Sequence, residues 1–98
     1  MCGIVGIEFS KDATEKDIFI WIKKTLKISS RRGKDSSGIS ILFQKNNSVE
    51  IRTFRSENSS DSLINYSPLK KLISDKLKSG FEIKFIIAHT RLATNGDT

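Results

Sequence analysis

The alternation of apolar and polar residues predicts four strands and two helices in this chain. A short apolar run at residues 3–9 and a continuous one at residues 84–89 are typical of buried strands, the second covered on both sides. Residues 37–43 and 49–54 read as two further strands. The polar stretch 45–48 between them carries turn residues, which favours a β-hairpin.

The first predicted helix begins near Asp12, with a carboxylate three residues later at Glu15, and runs for about 14 residues. Its apolar residues recur at helical spacing and are expected to face the core: Ile18, Trp21, Ile22 and Leu26.

The second predicted helix opens at Pro68 and stops at Gly80, after a polar stretch at residues 55–65 that is expected to be an exposed loop. Its apolar face is expected to contain Leu69, Leu72, Ile73 and Leu77. The order strand, helix, hairpin, helix, strand favours an α/β (α+β) sheet layered with helices.

Composition and charge narrow the class of protein. The chain has 98 residues, 37% of them hydrophobic, and a formal net charge of +6. We therefore expect one small domain over residues 1–98 and no second domain. The basic balance favours an anionic partner such as nucleic acid, phosphate or an acidic membrane, or reflects only a lysine-rich surface.

The cysteine count and the apolar runs indicate the cellular setting. One cysteine excludes an internal disulfide and the usual cysteine zinc sites, which suits a reducing compartment. No secretory leader follows Met1, and no run approaches the roughly 20 apolar residues that cross a bilayer. We therefore expect a cytoplasmic protein with no membrane partner, no cofactor and no metal.

That single cysteine, Cys2, directly follows Met1. Removal of Met1, which the small side chain of Cys2 favours, gives the same residue a thiol and a free amine. The amine could accept the thiol proton, so that no separate histidine base is needed for nucleophilic catalysis. The alternative is a small buried apolar side chain, which is the commonest fate of a lone cysteine.

Two polar stretches are further candidates for chemistry. Residues 31–38 (RRGKDSSG) join the first helix to a strand and could bind an anion, brace a site or form a solvated turn. Residues 89–96 (HTRLATNG) follow the last strand, where Arg91 could clamp a carboxylate or form a surface ion pair. Thr94 and Asn95 add hydrogen-bonding groups nearby. We interpret His89 as a structural histidine, because no metal-ligand partners accompany it.

Three motifs occur in one order: MCGIVGI, RRGKDSSGI and IAHTRLATNGD. This ordered set resembles the class II glutamine amidotransferase (N-terminal-nucleophile) glutaminase domain, over nearly the whole chain. That domain is found in glucosamine-6-phosphate synthase, amidophosphoribosyltransferase and asparagine synthetase. The resemblance implies the first part of an αββα sandwich, truncated, and a transferase whose glutaminase step is a hydrolysis.

The resemblance also implies roles for individual residues. Cys2 is the nucleophile that attacks the side-chain amide of glutamine, and ammonia passes to a synthetase domain. Arg91 binds the α-carboxylate of glutamine, with Thr94 and Asn95 beside it in the substrate site. Arg32 lines the space around the catalytic cysteine.

The sequence also departs from the family pattern. Leu92 and Asn95 stand where the glucosamine-6-phosphate synthase branch has tryptophan and histidine, and Lys34 stands where tyrosine, glutamine or proline is usual. The resemblance implies that the residues forming the oxyanion hole, and the residue that binds the amino group of glutamine, come after Thr98 in the family. Because one lost oxyanion donor costs roughly a hundred- to a thousand-fold in rate, we expect little or no glutaminase activity from these 98 residues, and self-association through bare apolar faces.

Two alternatives to a glutaminase remain open. One is a basic, non-enzymatic module that binds nucleic acid or another anion, resting on the net charge of +6 and on residues 31–34. The other is a catalytically dead scaffold of the glutaminase fold. We expect a lysine-rich surface more than an anionic partner, because the basic residues form no single arm or tail.

Overall fold

A computed structural model describes residues 2–30, 36–56 and 63–91, with the backbone alone at residues 2–3, 29–30 and 90–91. Four strands and two helices lie wholly within these ranges. In chain order they are β1 (Cys2–Glu8), α1 (Glu15–Ser30), β2 (Ser36–Lys45), β3 (Ser48–Ser56), α2 (Ser67–Lys78) and β4 (Glu82–Arg91). The predicted order of elements is confirmed, and the fold is α+β.

The strands form one antiparallel sheet in the order β1-β4-β2-β3. The predicted hairpin joins β2 to β3, and Asn46 occupies its turn with a φ of 53°, a left-handed conformation that asparagine tolerates. β4 lies between β1 and β2 and is antiparallel to both. β1 and β2 therefore run in the same direction, and both begin at the end of the sheet where β4 finishes.

One face of the sheet and the two helices enclose the core. Alternate residues of β2 are buried, as expected for a strand with one covered face. The core combines residues from both helices with residues from β2 and β4: Ile18, Ile22, Leu26, Leu69, Ile73, Ile39, Ile41, Phe43, Ile83, Ile86 and Ala88.

The start of α1 differs from the sequence prediction by two residues. The Thr14 hydroxyl accepts a hydrogen bond from the backbone N–H of Asp17 at 3.1 Å, and the Asp17 carboxylate accepts one from the N–H of Thr14 at 3.3 Å. This reciprocal pair is a capping box. The predicted pair of Asp12 and Glu15 was wrong because Thr14 and Asp17 offer the same pattern nearer to the buried Ile18.

Trp21 does not face the core as predicted. Its side chain is 44% exposed, with the Lys24 ammonium 4.8 Å from the ring centroid. The buried stripe of α1 instead continues from Ile22 to Thr25, whose hydroxyl donates a hydrogen bond to the Trp21 carbonyl. A threonine fits the narrow stripe with its polar group satisfied inside the helix, whereas the large indole lies at the edge.

The predicted bounds of α2 are confirmed closely. Pro68 lies in the first turn, where its missing N–H costs nothing. Gly80, just after the helix, has a φ of +94°, a conformation that favours glycine. Of the expected apolar face, Leu69 and Ile73 are buried and Leu72 and Leu77 are partly buried.

The second face of the sheet is open in the described part of the chain, which corrects two predictions. β1 is an edge strand with Ile4 74% exposed, and Phe85 and Ile87 of β4 are 36% and 38% exposed. Neither strand is therefore covered on both sides. On β3, Val49 and Ile51 are also exposed.

The prediction of an exposed loop over residues 55–65 was wrong at both of its ends. β3 continues to Ser56, and Leu63 is buried in the core. Residues 57–62 of that prediction lie outside the described residues.

Candidate functional site

The sheet brings residues from all three sequence motifs together at one end. Cys2 is the register partner of Arg91 in the β1–β4 pair, and Ser36 is the register partner of Arg91 in the β2–β4 pair. One row across three neighbouring strands therefore contains the candidate nucleophile, the candidate carboxylate clamp and a serine of the DSSG motif. Directly opposed residues have Cα atoms about 4.5 to 5.5 Å apart.

The remaining predicted site residues adjoin this row in sequence. Arg32 precedes Ser36 by four positions, and Thr94 and Asn95 follow Arg91 by three and four. All three lie outside the described residues, as do the side chains of Cys2 and Arg91. The roles of these five residues therefore stay predictions.

Two rows further into the sheet, His89 lies directly against Gly38. The two residues are register partners, and a Cβ built on Gly38 would overlap the His89 imidazole at Cε1 and Nε2, with Nδ1 3.2 Å away. Gly38 is buried, and the ring occupies the space that a side chain at Gly38 would need. The last residue of the DSSG motif and the first of the HTR motif thus form one packed unit.

Sequence reasoning missed this contact. It interpreted His89 as a structural histidine without naming the residue that it contacts, and it explained the glycines of residues 31–38 only by a tight backbone path. The signal that could have found the contact is a glycine within an otherwise regular strand, which often marks a close approach by another group. Which group approaches depends on the pairing of β2 with β4, and the sequence does not give that pairing.

Gly6 of the first motif makes a similar approach to a side chain. A Cβ at Gly6 would lie 3.1 Å from Cζ of Phe85, the tip of the ring on the neighbouring strand. The absence of a side chain at Gly6 therefore leaves room mainly for the aromatic ring of Phe85.

Among the described residues, Glu50 is the titratable group whose pKa is clearly shifted, and it lies away from this end of the sheet. Glu50 on β3 accepts hydrogen bonds from Lys76 of α2 and from Arg52 at 3.1 Å. These hydrogen bonds, Lys76 first, hold the pKa of the Glu50 carboxyl below its usual value of 4.5. Glu50 pairs with Phe43, near the hairpin turn, so this ion network links β3 to α2 and not to the Cys2 row.

The two helices carry much of the positive charge. α1 and α2 together contain eight lysines and three acidic residues. Sequence reasoning had found no single basic arm, and the structure shows that these lysines belong to the two helices, which form one layer of the fold.

Among the described residues, no three His, Cys, Asp or Glu side chains form a group able to hold a metal ion, and neither helix has the length and hydropathy needed to cross a membrane.

The sequence is similar to two glutamine–fructose-6-phosphate aminotransferases (isomerizing). The protein from Buchnera aphidicola is 33% identical over 96 residues, and isoform 2 from Bos taurus is 37% identical over 99 residues. Each match covers 98% of this chain but only 13% and 14% of the relatives. No family model matches the chain.

The fold is also similar to solved structures from DNA polymerases. A chain in the complex of the beta-clamp processivity factor and the little finger domain of PolIV matches 96% of this chain and 90% of its own length, with a TM-score of 0.60 and 12% identity. The insertion ternary complex of Dbh DNA polymerase has a TM-score of 0.61 at 11% identity, covering 94% of this chain and 28% of that one. At these identities the likeness shows the fold alone.

Proposed function

We propose that this chain is part of the glutaminase domain of a class II glutamine amidotransferase, with an N-terminal cysteine as nucleophile. The observation that carries the proposal is the register of Cys2 with Arg91 in a chain whose relatives are glutamine–fructose-6-phosphate aminotransferases. The complete protein supplies the released ammonia to a synthetase domain. The domain assignment for residues 1–98 and the cytoplasmic location belong to the same proposal.

The proposed reaction has two steps at Cys2. The amine exposed by removal of Met1 takes the thiol proton, and the sulfur attacks the amide carbon of glutamine, forming a C–S bond as the C–N bond breaks. Ammonia leaves with the transferred proton. Water then attacks the thioester carbonyl and its oxygen bonds to the acyl carbon as the C–S bond breaks. Glutamate is released, and a proton from the water regenerates the free thiol.

Arg91 is proposed to bind the α-carboxylate of glutamine, since a guanidinium can donate two parallel hydrogen bonds to a carboxylate. The register of Arg91 opposite Cys2 supports this role, because a glutamine that reaches both residues would lie at one end of the sheet. Thr94 and Asn95, close by in sequence, are proposed to add hydrogen bonds to the substrate, and Arg32 to line the surroundings of the cysteine.

The open face of the sheet supports the αββα sandwich. The exposed side chains Ile4, Ile51 and Phe85 present an apolar surface opposite the helix-covered face. In a sandwich of two sheets such a face packs against the second sheet. We propose that this second sheet comes from the rest of the glutaminase domain.

Glutamine binding tests the proposal. We expect calorimetry to detect L-glutamine, with glutaminol, which lacks the carboxylate, binding at least tenfold more weakly. In Arg91→Ala the affinity for L-glutamine falls to that for glutaminol, because the carboxylate has lost its partner. Lys84→Ala, on the same strand, is the matched control and leaves the preference intact. Equal binding of the two ligands by the unaltered chain would contradict the proposal.

A second candidate is a basic module that binds nucleic acid or another anion. The observation favouring it is the eight lysines and three acidic residues of α1 and α2, in a fold shared with chains from DNA polymerase structures. It predicts affinity for mixed-sequence oligonucleotides that falls steeply as salt rises, because bound counterions are released on binding. A flat titration at low salt would eliminate this candidate.

A catalytically dead scaffold of the glutaminase fold is the third candidate. It differs from the first only in the chemistry of Cys2, so that reaction of Cys2 with a glutamine-like electrophile distinguishes the two.

A further inference from the structure

A groove with a volume of about 460 Å³ lies between α1 and α2. Its apolar lining includes Phe19 and Ile22 of α1 and Leu69 and Ile73 of α2. Three of these, Ile22, Leu69 and Ile73, are buried core residues, so they form a fixed floor. The volume is within the range of roughly 300 to 1,000 Å³ that is usual for small-molecule sites.

Two cations line this apolar groove, one from each helix. Lys23 belongs to α1 and Lys70 to α2, and both side chains are exposed. No acidic side chain of the described residues is among those lining the groove. An apolar floor between two unopposed lysines complements a molecule with a hydrocarbon body and one anionic group.

We propose that this groove binds a medium-chain aliphatic carboxylate. The hydrocarbon chain lies against the partly exposed side chains of Phe19 and Ile64, above the buried floor, and the carboxylate is held by Lys23 and Lys70. Burial of each methylene strengthens binding by roughly fourfold, while the two ammonium groups set the preference for an anion. Nucleic acid fits this groove poorly, because its phosphates need the lysines but leave the apolar floor without a partner.

The proposed groove is independent of the Cys2 row. None of its lining residues belongs to the three sequence motifs, and Cys2, Arg91 and Ser36 are at the end of the sheet. Binding in the groove is therefore a property beyond glutamine hydrolysis, and it holds or fails whether or not the chain binds glutamine.

The test uses decanoate below its micelle concentration, with two comparison ligands. Decyltrimethylammonium has the same chain with the opposite charge, and acetate has the carboxylate without the chain. We expect calorimetry to show decanoate binding at least tenfold more tightly than either. Methyl NMR signals of Ile22 and Ile73 are expected to shift as decanoate is added, with those of Ile39 in the sheet unchanged.

Charge reversal identifies the binding residues. Lys23→Glu combined with Lys70→Glu is expected to weaken decanoate binding at least tenfold. Lys16→Glu combined with Lys71→Glu changes the net charge equally on the same helices, outside the groove, and is expected to change binding less than twofold. Equal loss in both double variants would overturn the proposal, because general attraction by the basic helices would then account for binding.

A second variant tests the apolar half of the site. Ser74 lines the groove on α2, and Ser74→Trp is expected to fill it and abolish the methyl shifts, while circular dichroism shows the helices retained. Undiminished decanoate binding in this folded variant, or tighter binding of decyltrimethylammonium than of decanoate to the unaltered chain, would equally overturn the proposal.

Discussion

Cys2 and Arg91 are opposite each other on antiparallel strands, although they are separated by nearly the whole length of the chain. The pairing arises because β4 enters the sheet between β1 and β2, so that its last residue meets the first residue of each. This register brings the backbones of the two residues together at one end of the sheet, and the proposed binding of glutamine rests on that placement.

The packing of His89 on Gly38 predicts a destabilising substitution. Gly38→Ala places a methyl group where the imidazole lies, and the resulting overpacking is expected to reduce the free energy of unfolding by about 1 to 3 kcal/mol. Urea unfolding measures the loss. Gly6→Ala is the matched control, and we expect a smaller loss there because the tip of the Phe85 ring can move aside.

The same contact predicts that two substitutions are not additive. His89→Ala removes the ring that obstructs the new methyl group, so adding Gly38→Ala to it should cost much less than Gly38→Ala alone. Strict additivity of the two losses would show that His89 does not occupy the space at Gly38.

The ion network of Glu50 predicts a dependence of stability on pH. The hydrogen bonds from Lys76 and Arg52 lower the pKa of Glu50 in the folded chain below the usual 4.5, so the unfolded state binds the proton more readily. This contribution is present above pH 4.5 and is lost as pH falls through the lowered folded-state pKa.

Thermal unfolding of Glu50→Gln across this range measures the effect. The variant should melt below the unaltered chain at pH 7, and the gap should close as the pH falls below 4.5. Glu82→Gln, which removes a carboxylate paired with Lys84 at 2.9 Å on β4, controls for the change in net charge. A gap between Glu50→Gln and the unaltered chain that stays constant with pH would contradict the assignment.

The open sheet face predicts self-association of this chain. Ile4 and Ile51 are exposed on the edge strands of that face, and contiguous apolar surface favours association. Ile4→Lys combined with Ile51→Lys should weaken association at least tenfold in sedimentation or light scattering. Ile20→Lys combined with Ile28→Lys, at exposed positions of α1, should change it little. A monomer at every concentration tested would contradict this prediction.

The sequence predicted the order of the elements well, because hydrophobic periodicity and turn residues are local signals. It predicted the burial of individual residues less well. Trp21 has the helical spacing of a core residue, but the width of the buried stripe depends on how α1 packs against the sheet. Ile4 and Ile87 belong to apolar runs that are typical of buried strands, whereas the described residues cover only one side of the sheet.

The sequence motifs identified the candidate site residues, but they did not predict how these residues are arranged in space. The motifs gave Cys2 and Arg91 as candidates, and their proximity follows only from the strand order β1-β4-β2-β3. The fit of His89 against Gly38 likewise depends on the register of β2 with β4. Long-range pairings of this kind are set by the whole sheet and leave no local pattern in the sequence.

The most direct test of the proposed glutaminase chemistry is the labelling of Cys2 by a glutamine-like diazoketone, followed by mass spectrometry. The sample is the chain with Met1 removed, as verified by intact mass. We predict a single label on Cys2, with labelling slowed by L-glutamine but not by D-glutamine, and with this protection absent in Arg91→Ala. Labelling of Cys2 at the same rate with and without L-glutamine, or no labelling at all, would contradict the account.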